Sequence, residues 1–316
     1  MLDGSSPGVL PPRLRDGDIV AVCAPAGPVL RTRLRRGLDL LGERFRLRVS
    51  PDVHAAAGFL AGPDARRAED FNRALRDPEV RAIVVARGGY GAMRILPLLD
   101  GDALRRDPKP IIGFSDATAI LSWAARAGVR GVHGPVVHQL GDLPAADLAW
   151  LHRLLTDPTP PGELPWRLSA IGASAGGIRD GRLVGGNLTL LSQLVGTPWQ
   201  VPTAGAILLL EEIGEKPYAI DRYLTHLQLA NAVAGTRAAL VGDLTRCTDP
   251  PTSAGGTDDP GPALAVVAER LHALGVPALS GAPVGHGSRN AALPWAARCV
   301  IDLDAGSFAL LDGAVA

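Results

Sequence analysis

The chain has 316 residues, of which 47% are hydrophobic, so it can bury a full core and is long enough for two domains. Its 32 basic and 32 acidic residues balance, which argues against a dedicated nucleic-acid-binding protein because such proteins carry a basic excess. The N-terminus lacks the pattern of a secretory signal, and no apolar run approaches the roughly 18 residues of a membrane-spanning helix, so we expect a soluble, cytoplasmic protein without a membrane partner.

Apolar runs and helical patterns alternate along the first half of the chain. Residues 1–17 are rich in proline and glycine and are expected to form a flexible arm. Beyond it, strands are predicted at 18–24, 45–49, 80–86, 129–133 and just before Ser115, with helices at 30–41, 64–75, 92–99 and from 117 onward. This alternation predicts an α/β domain over 18–158, built on a doubly wound parallel sheet.

The second half of the chain has a different composition. Proline- and glycine-rich residues over 159–180 predict a linker, after which 181–316 are expected to form a second, smaller domain. Its strands are predicted at 206–211, 238–244 and 276–280, its helices at 220–229 and 264–274, and a hairpin at the C-terminus. The expected fold class is therefore α/β, with a β-rich second domain.

Ser115 is the first candidate for chemistry. It stands between a short apolar strand and a helix, and Gly113 permits the tight turn that exposes a nucleophilic serine. The motif is only half of the G-x-S-x-G pattern, because Ala117 replaces the second glycine. Taken alone, Ser115 is equally well explained as the N-cap of the following helix.

A glycine-rich loop, RGGYG at 87–91, follows the third predicted strand. Open parallel sheets bind ligands beyond the carboxyl ends of their strands, where this loop and Ser115 both lie, and this shared location favours a nucleophile over a cap. The backbone N–H groups of residues 88–90, together with that of Asp116, can form an oxyanion hole. The competing interpretation, a phosphate cradle, is weak because the third glycine of G-x-G-x-x-G and any G-K-[ST] sequence are absent.

A serine nucleophile requires a base and an acid that orients the base. His286 stands between two glycines, where its ring can project, and His133 follows the fifth predicted strand as the rival base. Glu211 and Glu212 end an apolar strand, and only one of them can face the site because neighbouring strand residues point to opposite faces. Asp116 is a further candidate acid. The residues alone leave these choices open.

Neither a metal nor a cofactor is expected. The chain has no H-E-x-x-H motif and no clustered Asp/His spacing. Its three cysteines are far apart and odd in number, which argues against structural zinc and against a disulfide framework.

Six motifs follow one another in a characteristic order. They are RGGYG at 87–91, GFSD at 113–116, HGP at 133–135, GGNL at 185–188, LEEIGE at 210–215 with Tyr218, and GHG at 285–287. Together they resemble the LD-carboxypeptidase family of serine peptidases, which includes muramoyl-tetrapeptide carboxypeptidases and microcin C self-immunity peptidases. The resemblance extends over residues 18–303.

The resemblance implies a catalytic triad with the nucleophile in the first domain and the acid and base in the second. The implied triad is Ser115, Glu211 and His286. It selects Glu211 over Glu212 and His286 over His133.

The resemblance further implies an oxyanion hole formed by the backbone of Gly89 and Asp116, and a homodimer of two-domain chains. A carboxypeptidase must also recognise a free carboxylate. Arg87 and Asn187 are the candidates for this contact, and Tyr90 is a further candidate for substrate binding.

The resulting hypothesis is metal-free acyl transfer by a serine carboxypeptidase that cleaves between an L-centre and a terminal D-amino acid. The implied substrate is a murein tetrapeptide, which loses D-Ala during cell-wall recycling. One alternative keeps this chemistry but takes a peptidyl or aminoacyl nucleotide, and a second is a non-catalytic phosphate- or nucleotide-binding protein that uses the glycine-rich loop. The proline- and glycine-rich loop at 249–262 departs from the family pattern, so any substrate contact there stays open.

Overall fold

The computed structural model describes residues 8–172, 176–249 and 261–316. The chain divides into two compact units. Unit 1 comprises Met1–Thr159, Ala291–Ala296 and Gly313–Ala316, and unit 2 comprises Pro160–Asn290 and Ala297–Asp312. Each unit is built on one β-sheet with helices, so the predicted α/β fold class is confirmed.

Unit 1 contains a six-stranded sheet. Its strands are β1 (Ile19–Cys23), β2 (Arg46–Val49), β3 (Val80–Val85), β4 (Ile111–Gly113), β5 (Val132–His133) and, from later in the chain, β12 (Leu293–Pro294). The order is β12-β5-β4-β3-β1-β2, with β1 to β5 parallel and β12 antiparallel to β5. Apart from Arg81, strands β1, β3 and β4 are apolar and almost entirely buried, as is typical of parallel strands covered on both faces.

Helices cover both faces of this sheet. They are α1 (Arg31–Gly42), α2 (Asp64–Arg76), α3 (Ala92–Ile95), α4 (Gly101–Arg106), α5 (Thr118–Arg126), α6 (Val137–Leu140) and α7 (Ala145–Thr156), with short 3-10 turns at Leu96–Leu98 and Ser115–Ala117. On one face, α1, α6 and α7 pack on alternate strand residues such as Val20, Val22 and Val84. On the other face, Phe71 of α2 meets Trp123 of α5 edge to face, with ring centroids 6.5 Å apart. The doubly wound sheet predicted from the sequence is thus confirmed.

The strand order reverses between β1 and β3, which places the loops after these two strands side by side. The N–H of Gly27, in the loop after β1, donates to the carbonyl of Gly88, in the glycine-rich loop after β3, at 3.0 Å. Such a reversal is where open α/β sheets bind ligands. The next strand in the sheet, β4, leads to Ser115.

The N-terminal segment differs from the expected flexible arm. Residues 1–7 lie outside the described part of the chain, but residues 8–17 pack on unit 1. Leu14 is 1% exposed, and its N–H donates to the carbonyl of Leu155 at 2.7 Å. Val9 forms a parallel bridge with Val129. The buried Leu14 side chain and these backbone contacts together hold the segment against unit 1.

Unit 2 contains an eight-stranded sheet. Its strands are β6 (Gly162–Glu163), β7 (Ser169–Ile171), β8 (Ile178–Asn187), β9 (Ala206–Ile213), β10 (Ala238–Thr245), β11 (Ala278–Ser280), β13 (Arg298–Asp302) and β14 (Ser307–Leu310). The order is β6-β14-β13-β8-β9-β10-β11-β7, in which β8 to β11 are parallel and the outer strands pair antiparallel. The helices of this unit are α8 (Leu188–Gln193), α9 (Pro217–Leu229) and α10 (Gly261–Ala273).

The boundaries of unit 2 differ from those expected. Residues 159–180, expected as a linker, supply the strands β6 and β7 of its sheet. Residues 291–296 and 313–316, expected in the second domain, return to unit 1. Strands of two or three residues are too short for periodicity to reveal them. Within the described residues, no helix combines the length and the apolar character needed to cross a membrane.

Candidate active site

Ser115 lies at the turn between β4 and α5 in unit 1. Phe114 is extended, with φ of −148°, whereas Ser115 has φ of 60°, a left-handed conformation. This conformation costs roughly 1–3 kcal/mol for a residue with a side chain, and such strain is concentrated at functional sites. The N-cap of α5 is Ala117, so Ser115 does not serve as its cap. The strand–turn–helix geometry is the one that the sequence predicted around Ser115, with Ala117 in the place of the second glycine of G-x-S-x-G.

The glycine-rich loop lies directly against this serine. A Cβ atom added to Gly88 would stand 3.0 Å from Oγ of Ser115, so any larger residue would crowd the hydroxyl. The same hypothetical atom would lie 3.5 Å from the backbone nitrogen of Asp116. The loop at 88–90 and Asp116, which were predicted to supply the oxyanion donors, therefore adjoin within unit 1.

The carboxyl group of Asp116 has a partner inside unit 1. It is 3% exposed, and its Oδ2 accepts a hydrogen bond from the N–H of Ala92 at 2.7 Å. Burial raises the pKa of Asp116 to about 6, although this hydrogen bond and the charge of Arg67 act in the opposite direction. The described geometry thus directs the Asp116 carboxyl to the start of α3 rather than to a histidine ring.

In unit 2, His286 and Glu211 are hydrogen-bonded. Nδ1 of His286 lies 2.6 Å from Oε2 of Glu211. Because a carboxylate only accepts, Nδ1 carries the proton and Nε2 is left as the basic nitrogen. The Glu211 side chain is fully buried and that of His286 is 14% exposed. Burial of the ring disfavours the charged form, but the charge and hydrogen bond of Glu211, together with the charges of Glu212 and Asp243, raise the pKa of His286.

Strand geometry separates the two neighbouring glutamates. Glu211 and Glu212 are consecutive in β9, so their side chains leave opposite faces of the sheet. Glu212 accepts from Nδ2 of Asn187 at 2.9 Å and from the N–H and hydroxyl of Thr189, both at 2.8 Å. Burial raises the pKa of Glu212. Glu212 therefore holds the start of α8, while Glu211 orients His286.

The 285–287 turn is held by two residues that the sequence analysis did not single out. Oδ1 of the fully buried Asn290 accepts from the N–H of Gly285 at 3.1 Å, and Oδ2 of Asp243 accepts from the N–H of Gly287 at 2.9 Å. A Cβ atom on Gly287 would overlap the Asp243 carboxylate, which is why glycine is required there. Asp243 carried a detectable signal, an acid within the apolar run of β10, whereas Asn290 carried none.

The predicted substrate-binding residues already make contacts within their own units. Nη1 of Arg87 donates to the carbonyl of Pro28 at 2.5 Å. Asn187 caps α8 through Oδ1 in addition to binding Glu212. Tyr90 is 50% exposed and packs edge-on against Phe59, with ring centroids 5.4 Å apart.

The rival base, His133, is completely buried in unit 1. Its ring packs edge-on against that of Phe114, with centroids 5.9 Å apart. Complete burial favours a packing role for His133, because a general base must reach the proton of its substrate.

The described residues bring together no group of three His, Cys, Asp or Glu side chains that could hold a metal ion. Cys23, Cys247 and Cys299 are buried free thiols, and burial raises the pKa of each. Most of the 249–262 loop, residues 250–260, lies outside the described residues.

Unit 1 has a strained serine at a strand–helix turn of a doubly wound sheet, and unit 2 has a carboxylate-bound imidazole on its own sheet, so the chain is of the two-unit α/β class. Comparison with known families identifies the family within this class. The LD-carboxypeptidase N-terminal domain matches residues 20–134, and the LD-carboxypeptidase C-terminal domain matches residues 180–301. The chain belongs to the LD-carboxypeptidase family and is therefore a peptidase. The resemblance drawn from the six motifs is confirmed.

Individual relatives align over nearly the whole chain. The murein tetrapeptide carboxypeptidase of Pseudomonas aeruginosa is 34% identical over 304 residues, covering 90% of this chain and 92% of the relative. The crystal structure of muramoyltetrapeptide carboxypeptidase from Oxalobacter formigenes matches with a TM-score of 0.78 at 27% identity, covering 93% of this chain and 98% of that one. The microcin C7 self-immunity protein MccF matches with a TM-score of 0.85 at 24% identity, covering 97% and 99%, and at this identity the likeness concerns the fold alone.

Proposed function

We propose that this chain is a serine LD-carboxypeptidase whose catalytic residues are Ser115, His286 and Glu211. The observation that carries the proposal is the 2.6 Å bond between His286 and the buried Glu211. A carboxylate in this position fixes the tautomer of the ring and stabilises the imidazolium that forms during catalysis. The left-handed conformation of Ser115 at a strand–helix turn supports its role as the nucleophile.

In the proposed reaction, Nε2 of His286 takes the proton of Ser115, and the serine oxygen attacks the carbonyl carbon of the scissile amide. The N–H groups of Gly89 and Asp116 stabilise the negative charge on the carbonyl oxygen. His286 then donates its proton to the amine, which leaves as the terminal D-amino acid. A water molecule, deprotonated by the same ring, hydrolyses the acyl-enzyme and frees the serine.

The proposed substrate is a murein tetrapeptide, from which terminal D-Ala is released in peptidoglycan recycling. This substrate is chosen because a relative with 34% identity, aligned over 90% of the chain, bears the name of that activity. Arg87 and Asn187 are proposed to bind the terminal carboxylate, and the half-exposed Tyr90 to contact the peptide.

The direct test is the release of D-Ala from a murein tetrapeptide, compared with the same peptide ending in L-Ala. The wild-type protein is expected to act on the D-terminated peptide alone. Ser115→Ala should lower kcat by on the order of 10⁴-fold or more, with an unchanged circular dichroism spectrum. Release of D-Ala at the wild-type rate by Ser115→Ala would overturn the proposal.

Two alternatives are separated by two further measurements. The fold neighbour MccF was solved in complex with aspartyl sulfamoyl adenosine, so aminoacyl nucleotides are the second substrate class to assay. A higher kcat/KM on aspartyl sulfamoyl adenosine than on the tetrapeptide would favour that class. A non-catalytic phosphate-binding protein would leave Ser115 unlabelled by a fluorophosphonate, because its serine would not be activated.

We further propose that the protein is a cytoplasmic homodimer, as the family resemblance implies. Light scattering should then give twice the chain mass of 32.8 kDa. Fractionation of the native host should place the protein with cytosolic markers. A mass of one chain at micromolar concentration would contradict the dimer.

A further inference from the structure

The peptide group between Gly91 and Ala92 is held from both sides by buried charged residues. Its carbonyl accepts a hydrogen bond from Nη1 of Arg67 at 2.9 Å, and its N–H donates to Oδ2 of Asp116 at 2.7 Å. Arg67 is 2% exposed and Asp116 is 3% exposed. One amide dipole therefore lies between a cation at its negative end and a carboxyl group at its positive end, where little water screens either charge.

The remaining donors of Arg67 reach two neighbouring segments. Nη1 also donates to the carbonyl of Pro25, just after β1, and Nε donates to the carbonyl of Gly62 at 3.1 Å. Nη2 donates to Oδ1 of Asp64, at the start of α2, at 2.5 Å. One planar guanidinium thus joins three segments of unit 1, which the single ammonium group of a lysine cannot do.

Asp116 is linked to the nucleophile in the chain itself, because it directly follows Ser115. Its backbone N–H is one of the two proposed oxyanion donors, and the other, Gly89, lies two residues before Gly91. The spacing of these two donors therefore depends on how the 91–92 peptide is held between Arg67 and Asp116.

We propose that Arg67 and the side chain of Asp116 are positioning residues that fix the spacing of the two oxyanion donors through the 91–92 peptide. The inference rests on the proposed function, because that spacing matters only if Ser115 is a nucleophile. Both side chains act through the backbone and do not touch the substrate. Their loss weakens an interaction made mainly in the transition state, so it lowers kcat and leaves KM nearly unchanged.

Three variants remove parts of this arrangement. Arg67→Met removes the donors and keeps a long side chain, Arg67→Lys keeps the charge with one donor group, and Asp116→Asn keeps an acceptor oxygen without the charge. Arg94→Met is the matched control. The Arg94 side chain binds the same Asp64, through Nε at 2.9 Å and Nη2 at 2.8 Å, but it is 45% exposed and these bonds go to Asp64, not to the 91–92 peptide.

The expected changes in kcat are scaled to the loss that follows the removal of one oxyanion donor. Arg67→Met should lower kcat by about 10²-fold and Asp116→Asn by about tenfold, with KM within about twofold of the wild type. Arg67→Lys should show a smaller loss of kcat than Arg67→Met, and the kcat of Arg94→Met should stay within about twofold of the wild-type value. The double variant Arg67→Met/Asp116→Asn should be no slower than Arg67→Met alone, because both side chains act on one peptide.

Two readouts separate this inference from the proposed function. The rate at which a fluorophosphonate labels Ser115 needs the oxyanion donors but no peptide, so it should fall in parallel with kcat. Hydrogen exchange of residues 88–95, followed by mass spectrometry, needs no activity and should be faster in Arg67→Met and Asp116→Asn but not in Arg94→Met. If the wild type releases no D-Ala while labelling and exchange respond as stated, the substrate assignment fails and the inference stands.

The inference is overturned if Arg67→Met retains the wild-type kcat and exchange pattern, or if its effect appears in KM alone. It is also overturned if the fold-loss in kcat of the double variant equals the product of the fold-losses of the two single variants. It is also overturned if Arg94→Met matches Arg67→Met, since the Asp64 ion pair would then explain the effect. Should Arg67→Met fail to fold, Arg67→Lys and Asp116→Asn carry the same test, with the same expected order of kcat.

Discussion

The hydrogen bond between Nδ1 of His286 and Oε2 of Glu211 joins residues 75 positions apart in the chain at 2.6 Å. They meet because β9, β10 and β11 are parallel neighbours, so their carboxyl ends lie at one edge of the sheet. Glu211 lies near the end of β9, and the segment after β11 is held beside β10, where the N–H of Asp243 donates to the carbonyl of Val284 at 2.9 Å. This arrangement brings the imidazole to a fully buried carboxylate.

Removing the charge of Glu211 should change both the rate and its pH dependence. Glu211→Gln should lower kcat by about 10³- to 10⁴-fold, because the amide no longer stabilises the imidazolium. The base must be neutral, and Glu211 raises the pKa of His286 above its ordinary value of 6.5, so wild-type kcat/KM should rise with pH through a midpoint above 6.5. In Glu211→Gln the largest cause that raises the pKa of His286 is removed, while burial and the weaker charges of Glu212 and Asp243 remain, so the midpoint should fall.

The pH profile of Glu212→Gln is the control for this prediction. Glu212 lies on the opposite face of β9 and raises the pKa of His286 less than Glu211 does, so the midpoint should shift less. Identical midpoints for the wild type and Glu211→Gln would contradict the assignment of Glu211.

Asp243 should position the turn that carries His286. Asp243→Ala removes the acceptor for the N–H of Gly287, so kcat should fall by roughly 10- to 100-fold with little change in KM. Asp243→Asn retains an acceptor oxygen and should recover most of the rate. Steady-state kinetics of both variants test this prediction. Equal losses of kcat in the two variants would show that loss of this hydrogen bond does not cause the fall in kcat.

Gly287→Ala should destabilise unit 2 and impair catalysis together. Its Cβ atom would overlap the Asp243 carboxylate, and such overpacking costs roughly 1–3 kcal/mol, which corresponds to a Tm lower by several degrees. Gly101→Ala is the control, because its Cβ atom would meet Ala127 at an ordinary 3.7 Å. Calorimetry and D-Ala release measure the two effects, and a Gly287→Ala protein with wild-type Tm and kcat would contradict the prediction.

The buried carboxyl of Asp116 should make stability depend on pH. Its folded-state pKa of about 6 lies above the ordinary 3.8, so the folded chain binds this proton more tightly than the unfolded chain. The stabilisation is complete below pH 3.8 and is lost as the pH rises through about 6, which at about 1.36 kcal/mol per pH unit amounts to about 3 kcal/mol.

Asp116→Asn lacks this proton exchange. The free energy of unfolding of the wild type, measured relative to that of Asp116→Asn in urea, should therefore rise as the pH falls from neutral to about 4. All other carboxyl groups are common to the two proteins and cancel in the difference. A difference that does not change with pH would show that the Asp116 carboxyl is not buried in the folded protein.

Much of the fold follows from local patterns. The helix predicted at 64–75 is found at Asp64–Arg76, because its apolar residues recur at the helical period, and the strand predicted at 80–86 is found at Val80–Val85, because a short, nearly continuous apolar run is typical of a buried strand. The segments at 8–17 and 160–180 were not predictable in the same way. Leu14 and the short strands β6 and β7 are ordered by partners elsewhere in the chain, not by their own sequence.

The sequence by itself determined the α/β class, the strand–turn–helix position of Ser115 and the family, because these depend on residue types at short, fixed spacings. Only the tertiary structure decided which side chains support the site. Arg67 reaches the carbonyl of Gly91 across 24 residues, and Asp243 reaches the N–H of Gly287 across 44. Such bonds are made between segments that meet only when the sheet is assembled, so they leave no periodic pattern in the chain. Their visible traces are an arginine on the apolar face of α2 and an acid within the apolar run of β10.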